Sequence, residues 1–285
     1  MLRFVAPLCL AALTALTPLS GRAQTGPAPE APSGAPPEAP LDWTVVRFTE
    51  EPTLIATVRF DNGIGLVARC MDETFDVIIN GLPPVSRRAL TRQIGLQVGD
   101  EDVESITAWT TGTDRTTAFS RIPARIARQL AKGGALQIVV PPERGSGPRT
   151  RYVMDLDSSS TAIERILTAC DRPLVDPRDD QAQGDGRDGL PNQITWARQP
   201  RINFPSPVGD RMALRGYVTL SCVVQAEGRL DDCQIESEHP PGYNLGKAVE
   251  AGMRTARVRQ SDEGRAAGQR FEGEMIIFTV VFSVA

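Results

Sequence analysis

The chain has 285 residues, 41% of them hydrophobic, and its 31 basic and 35 acidic side chains leave a net charge of -4. Length and apolar content allow two cores of ordinary domain size. Near-balanced charge and only 5% aromatic residues exclude the basic, aromatic-studded surface of a nucleic-acid binder, so no nucleic-acid partner is expected.

Arg3 precedes an apolar run from Phe4 to Leu19, and the small and polar residues Ser20-Gly21-Arg22-Ala23-Gln24 follow. This pattern predicts a secretory signal peptide over 1–23. A membrane span needs about 20 apolar residues, whereas this run is shorter and interrupted by Pro7 and Pro18, so cleavage near Ala23 and a periplasmic location are expected. Retention would instead hold the protein on the periplasmic side of the inner membrane, and only then does the sequence imply membrane contact. Cys9 sits inside the run after Leu8, not after the small residue that lipid attachment requires. Residues 24–41 follow as a Pro- and Ala-rich tether, TGPAPEAPSGAPPEAP at its centre, with a polyproline-like reach of about 50 Å at roughly 3.1 Å per residue.

Beyond the leader stand Cys70, Cys170, Cys222 and Cys233, an even number in an oxidising compartment, which favours two disulfides. No CxxC spacing exists and His239 is the one histidine, so neither a metal nor a cofactor is expected. Over 42–174 the composition predicts a mostly-β module with two helices. Strands are expected at Thr44 to Phe48, Thr57 to Phe60, Gly63 to Cys70, Phe75 to Ile79, Ser105 to Thr110, Thr117 to Ser120, Leu136 to Val140 and Tyr152 to Leu156. Ile64, Leu66, Ala68 and Cys70 share one face. One helix starts near Pro123 and stops at Gly133-Gly134. The other follows Thr161, in capping-box spacing with Glu164, and carries Ile163, Ile166, Leu167 and Cys170 on its buried stripe. Cys170 thus faces the core, where Cys70 can meet it.

Residues 175–196 read as an acidic, Gly-rich linker, and 197–285 as a small second domain, giving an α+β fold overall. Arg215 to Ala226 and Arg229 to Ser237 read as a hairpin turning at Glu227-Gly228. Counting outward from that two-residue turn sets Cys222 opposite Cys233 at a hydrogen-bonded pair, with Cα atoms about 5.5 Å apart. A helix from Asn244 to Arg257 follows, with Leu245, Ala248, Val249, Gly252, Met253 and Ala256 on one stripe. The apolar strand Gly273 to Val284 completes a β-β-α-β order.

That order, with Pro200-Arg201-Ile202-Asn203-Phe204-Pro205, Gly216 to Leu220, Ala226 to Leu230, Pro240-Pro241-Gly242 and Val280-Val281-Phe282, resembles the TonB C-terminal domain family over the last third of the chain. The resemblance implies a non-enzymatic binding or scaffolding protein of the cell envelope, linked to transport. Its partner would be an envelope protein, such as an outer-membrane receptor, whose extended peptide adds to a sheet edge through main-chain hydrogen bonds. The corresponding edge here is Phe278, Thr279, Val280, Val281, Phe282, Ser283 and Val284. An inner-membrane-anchored energy transducer is the alternative that retention of Phe4 to Leu19 would imply.

No catalytic residue is expected. His239, beside Pro240-Pro241, reads as an exposed loop residue rather than a positioned base. Glu236 and Glu238 could share a strand face about 7 Å apart, but a solvated strand end explains them more simply. Gly145-Ser146-Gly147 lacks the lysine and helix start of a phosphate loop. Arg121, Arg125, Arg128 and Lys132 read as the charged outer face of a surface helix rather than an anion site.

Overall fold

The computed structural model describes residues 43–49, 52–99, 105–143, 147–156, 161–181, 190–203, 205 and 215–283. The signal peptide, the tether, the centre of the acidic linker, Gly145, Ser146, Phe204 and Val284 lie outside them.

Fourteen strands and four helices are described, so the fold is α+β. Nine strands form one antiparallel sheet: β1 (Thr44–Phe48), β2 (Thr53–Arg59), β3 (Gly65–Met71), β4 (Thr74–Asn80), β5 (Thr91–Val98), β6 (Ser105–Thr111), β7 (Ala118–Phe119), β8 (Gly134–Val140) and β9 (Thr150–Leu156). Their spatial order is β1-β2-β3-β4-β7-β6-β5-β8-β9. The β3–β4 connection is a two-residue turn in which Asp72 and Glu73 both take positive φ, as a hairpin whose strands keep their right-handed twist requires. Helices α1 (Pro123–Leu130) and α2 (Thr161–Ala169) pack on this sheet, and the turn that follows α1 passes through Gly133 at φ 66°, whose amide donates to the Leu130 carbonyl. Thr161 is already helical rather than the residue before the first turn.

Ile64, Leu66, Ala68 and Cys70 share a buried core with Ile126 and Leu130 of α1 and with Ile163, Ile166 and Leu167 of α2. The Cys70–Cys170 disulfide joins β3 to the end of α2 with Cα atoms 5.5 Å apart. It spans a sequence separation of 100 residues, for which the chain-entropy model gives roughly 5 kcal/mol.

The second core is built on a three-stranded sheet of β11 (Arg215–Val224), β12 (Leu230–His239) and β14 (Met275–Ser283), in the order β12-β11-β14. Helix α3 (Leu245–Met253) covers one face through Leu245, Val249 and Met253. Two strands absent from the sequence reading, β10 (Ile194–Arg198) and β13 (Arg257–Gln260), pair beside it, and the short helix α4 (Asp262–Ala266) leads towards β14. Leu190 and Ile194 belong to this core, so the chain enters the second core before residue 197.

The hairpin differs from expectation in two ways that offset each other. Gln225 bonds Arg229, so the loop is Ala226-Glu227-Gly228, with Gly228 at φ 76°. A side chain there would lie 2.0 Å from the Val258 carbonyl, whose own amide donates to Gly228 O. The longer loop moves the register by one residue, and a bulge at Asp232, at φ 45°, moves it back. Cys222 and Cys233 are therefore bonded, with Cα atoms 4.1 Å apart rather than the expected spacing.

The two cores meet. Residues from Pro40 onward form one compact unit, and β12 packs against β4 and α1. The start of the expected linker is part of that contact: Pro177–Gln181 is a 3-10 helix whose side chains reach both sides.

Candidate functional site

β14 ends the three-stranded sheet, and among the described residues no strand pairs with its outer side. Two observations fix which of its backbone groups face outward. Val224 N–H donates to Glu274 O, and Gln225 N–H donates to Arg229 O, so even-numbered residues of β11 bond β14 and odd-numbered ones bond β12. In the antiparallel register Leu220 faces Phe278 and Val218 faces Val280. Ile276, Phe278, Val280 and Phe282 thus turn their amides and carbonyls inward. The same groups of Ile277, Thr279 and Val281 point out of the sheet.

The side chains alternate the same way. Ile276, Phe278 and Phe282 are buried in the α3 core, with Val280 packed against it. Trp196 of β10 meets Phe278 edge-on, at 5.8 Å between ring centres. On the other face Thr279 shares a hydrogen bond with Thr219 (2.9 Å), whereas Val281 is 49% exposed. Only the side chains of Phe278 to Phe282 are described among the residues expected to form the edge.

The face of the sheet away from α3 is polar and buried. Tyr217, Thr219 and Ser221 are at most 4% exposed. Glu236 is the extra residue of a second bulge in β12, between the pairs Thr219–Ser237 and Leu220–Ile235. The bulge turns Glu236 towards the nine-stranded module, where Arg178 Nη2 donates to its carboxylate at 3.0 Å and also to Ser221 Oγ. Ser221 Oγ in turn donates to Glu236. Arg172 donates to the Ile235 carbonyl at 2.8 Å, and its burial lowers its pKa, with Glu236 opposing that shift. Arg128 of α1 forks onto Asp179 (Nη2 to Oδ1, 2.6 Å) and donates to the Pro173 carbonyl. The basic face of α1 is therefore engaged at Arg128 rather than presented as an outer surface.

Glu236 and Glu238 do not share a face. Glu238 points to α3, where its two oxygens accept the Leu245 and Gly246 amides at 3.1 and 2.9 Å. Asn244 before the helix makes no side-chain cap, so Glu238 supplies the negative group that the helix start favours. Gly246 permits this approach, because a Cβ there would lie 2.7 Å from Glu238 and 2.6 Å from Ile235.

His239 is not an exposed loop residue. It closes β12, half-buried, with its ring stacked on Tyr217 at 5.6 Å and tilted against Phe119 of the other module at 5.0 Å. Burial lowers its pKa below 6.5, Asp76 opposes the shift and Arg69 adds to it. Asp76 is itself buried in an ion pair with Arg69. Burial likewise pushes the Tyr217 phenol well up.

Among the described residues no group of three or more His, Cys, Asp or Glu side chains could hold a metal ion. Among the described residues, which do not include Phe4 to Leu19, no helix is long and apolar enough to cross a membrane. No protein-family model matches the chain, and no curated protein matches it.

Proposed function

We propose that this is a periplasmic, non-enzymatic binding protein whose last unit, a TonB-like domain, takes an extended peptide of an envelope protein by strand addition to β14. The observation that carries the reading is the position of β14 at the end of its sheet, with the backbone groups of Ile277, Thr279 and Val281 directed outward. Main-chain bonds at such an edge supply affinity with little demand on side chains. Two bridged cysteine pairs suit an oxidising compartment. The reading of a non-enzyme draws support from the work each candidate acid or base already performs: Glu236 pairs Arg178, Glu238 caps α3, and His239 packs against the rings of Tyr217 and Phe119.

Val281→Pro tests the edge. It removes an outward amide without touching the β11 ladder, and proline is tolerated at such positions. With a photo-crosslinker at Thr279 in cells, an envelope partner is expected to be captured by the parent chain and lost in Val281→Pro, with the melting transition unchanged. A crosslink that survives the proline, or none at all in the parent, rejects strand addition at β14.

A further inference from the structure

The nine-stranded module contains a cleft of about 270 Å³ that the strand-addition reading does not use. Its walls carry two Pro-Pro pairs, Pro83-Pro84 and Pro141-Pro142, together with Pro148. One wall, the segment after β4, is held by bonds from Leu82 N–H to Thr116 O and from Val85 N–H to Arg115 O. Both oxygens of Glu143 accept the Ser86 amide and tie that wall to the segment after β8. Gly147 lies so near Pro142 that a Cβ would come to 3.0 Å. The walls are thus fixed, and prolines offer no N–H to a ligand.

Arg92, the second residue of β5, lines the same cleft although it is only 7% exposed. Its Nη1 donates to the Pro83 carbonyl at 2.9 Å, and its buried Nε has no hydrogen-bond partner among the described residues. A buried cation is costly unless it is paired and hydrogen-bonded, and one neutral carbonyl is a poor match for a guanidinium. Burial lowers its pKa, while Tyr152 and Glu143 oppose the shift. Arg92 shares the face of β5 that carries the buried Ile94 and Leu96, so its guanidinium stands where the strand otherwise presents aliphatic side chains.

We propose that this cleft binds a carboxylate carried on a compact apolar group, with the carboxylate against the Arg92 guanidinium and the apolar part against the proline rings. The volume lies below the roughly 300–1,000 Å³ of sites for drug-sized ligands, so the occupant is one side chain or a short acyl chain in size. A free small acid and the C-terminus of a peptide both present this chemistry.

The test is a titration of the ¹⁵N-labelled full chain, followed at the Arg92 Nε–Hε resonance, with hexanoate and with N-acetyl-Ala-Leu, and with the amide of each. The acids are expected to move the resonance saturably, and the uncharged amides to bind at least about tenfold more weakly. Saturation by hexanoate alone identifies a free small acid, and tighter binding of the dipeptide acid identifies a chain terminus. Arg92→Gln should abolish binding. Because that variant removes a buried group, Thr91→Trp provides the second arm: it fills the cleft from an exposed rim position and should also weaken binding about tenfold, with Arg92 still in place. Val281→Pro should bind as the parent does, which separates this site from the β14 edge. Equal binding of acid and amide, undiminished binding in Thr91→Trp, or no response to either acid overturns the proposal.

Discussion

The two faces of β11 are equally buried and held by opposite chemistry. Val218, Leu220, Cys222 and Val224 enter an apolar core under α3, while on the other face Tyr217 stacks on His239, Thr219 bonds Thr279, and Ser221 joins Glu236 and Arg178 in a buried charged cluster. The apolar face gains stability from area removed from water. The polar face gains it only while every charge keeps its partner. One face can therefore be weakened by degrees, whereas the other fails at a single residue.

Arg178→Met should therefore be the more damaging of two changes on opposite faces. It removes the counter-charge of Glu236, which keeps only the Ser221 hydroxyl, at an ion pair whose side chains are no more than 15% exposed, with an expected loss of about 4 kcal/mol in urea unfolding. The double change with Glu236→Leu should recover most of that loss, and a double variant as unstable as the single would show that the charges are not what matters. Leu220→Ala, on the α3 face, should cost about 3 kcal/mol by leaving a cavity, with no rescue available from across the interface. Glu238→Gln weakens the start of α3 and should cost about 1 kcal/mol. Exchange of the Leu245 and Gly246 amides should quicken, and unchanged exchange there would remove Glu238 from that role.

The smallest effect is one of pH. His239 has its pKa lowered in the folded chain, chiefly by burial. Between that value and the ordinary 6.5 the unfolded chain binds more protons, so stability rises with pH. It should decline as pH falls through 6.5 towards the folded value, and His239→Phe should flatten that part of the profile. A decline that persists in His239→Phe belongs to other groups.

What could be read from the sequence was local. Alternation in Ile64 to Cys70, the Pro123 start and the Gly133 stop of α1, and the stripe of α2 each depend on neighbours a few residues away, and both cysteine pairings follow from such faces. β5 carries the same alternation, Ile94, Leu96 and Val98 against Gln93, Gly95 and Gln97, and only Arg92 on the core face and a glycine in mid-strand speak against a strand there. β10 and β13 are only five and four residues long, and their pairing spans distant segments. The alternation of β11 correctly separates its apolar face, but a strand of that pattern suggests a solvated second face. Nothing local to Thr219 or Ser221 announces the module that covers them. For the same reason β14 is legible as an apolar strand, while its place at the end of a sheet depends on the order of partners. Glu236 was misplaced because a bulge changes which face a residue takes, and His239 because its two ring neighbours come from distant strands.

The hairpin of β11 and β12 constrains how this chain can vary in length. An even number of residues separates Cys222 from Cys233, and a three-residue loop uses an odd number, so the ladder must set one residue aside, and it sets aside Asp232. Loss of Asp232 would leave a regular ladder with the sulfurs still facing. Loss of Leu230 or Asp231 would force the same count on residues that already have partners. Among descendants of this sequence, a deletion between the two cysteines should be inherited at Asp232 and purged from its neighbours.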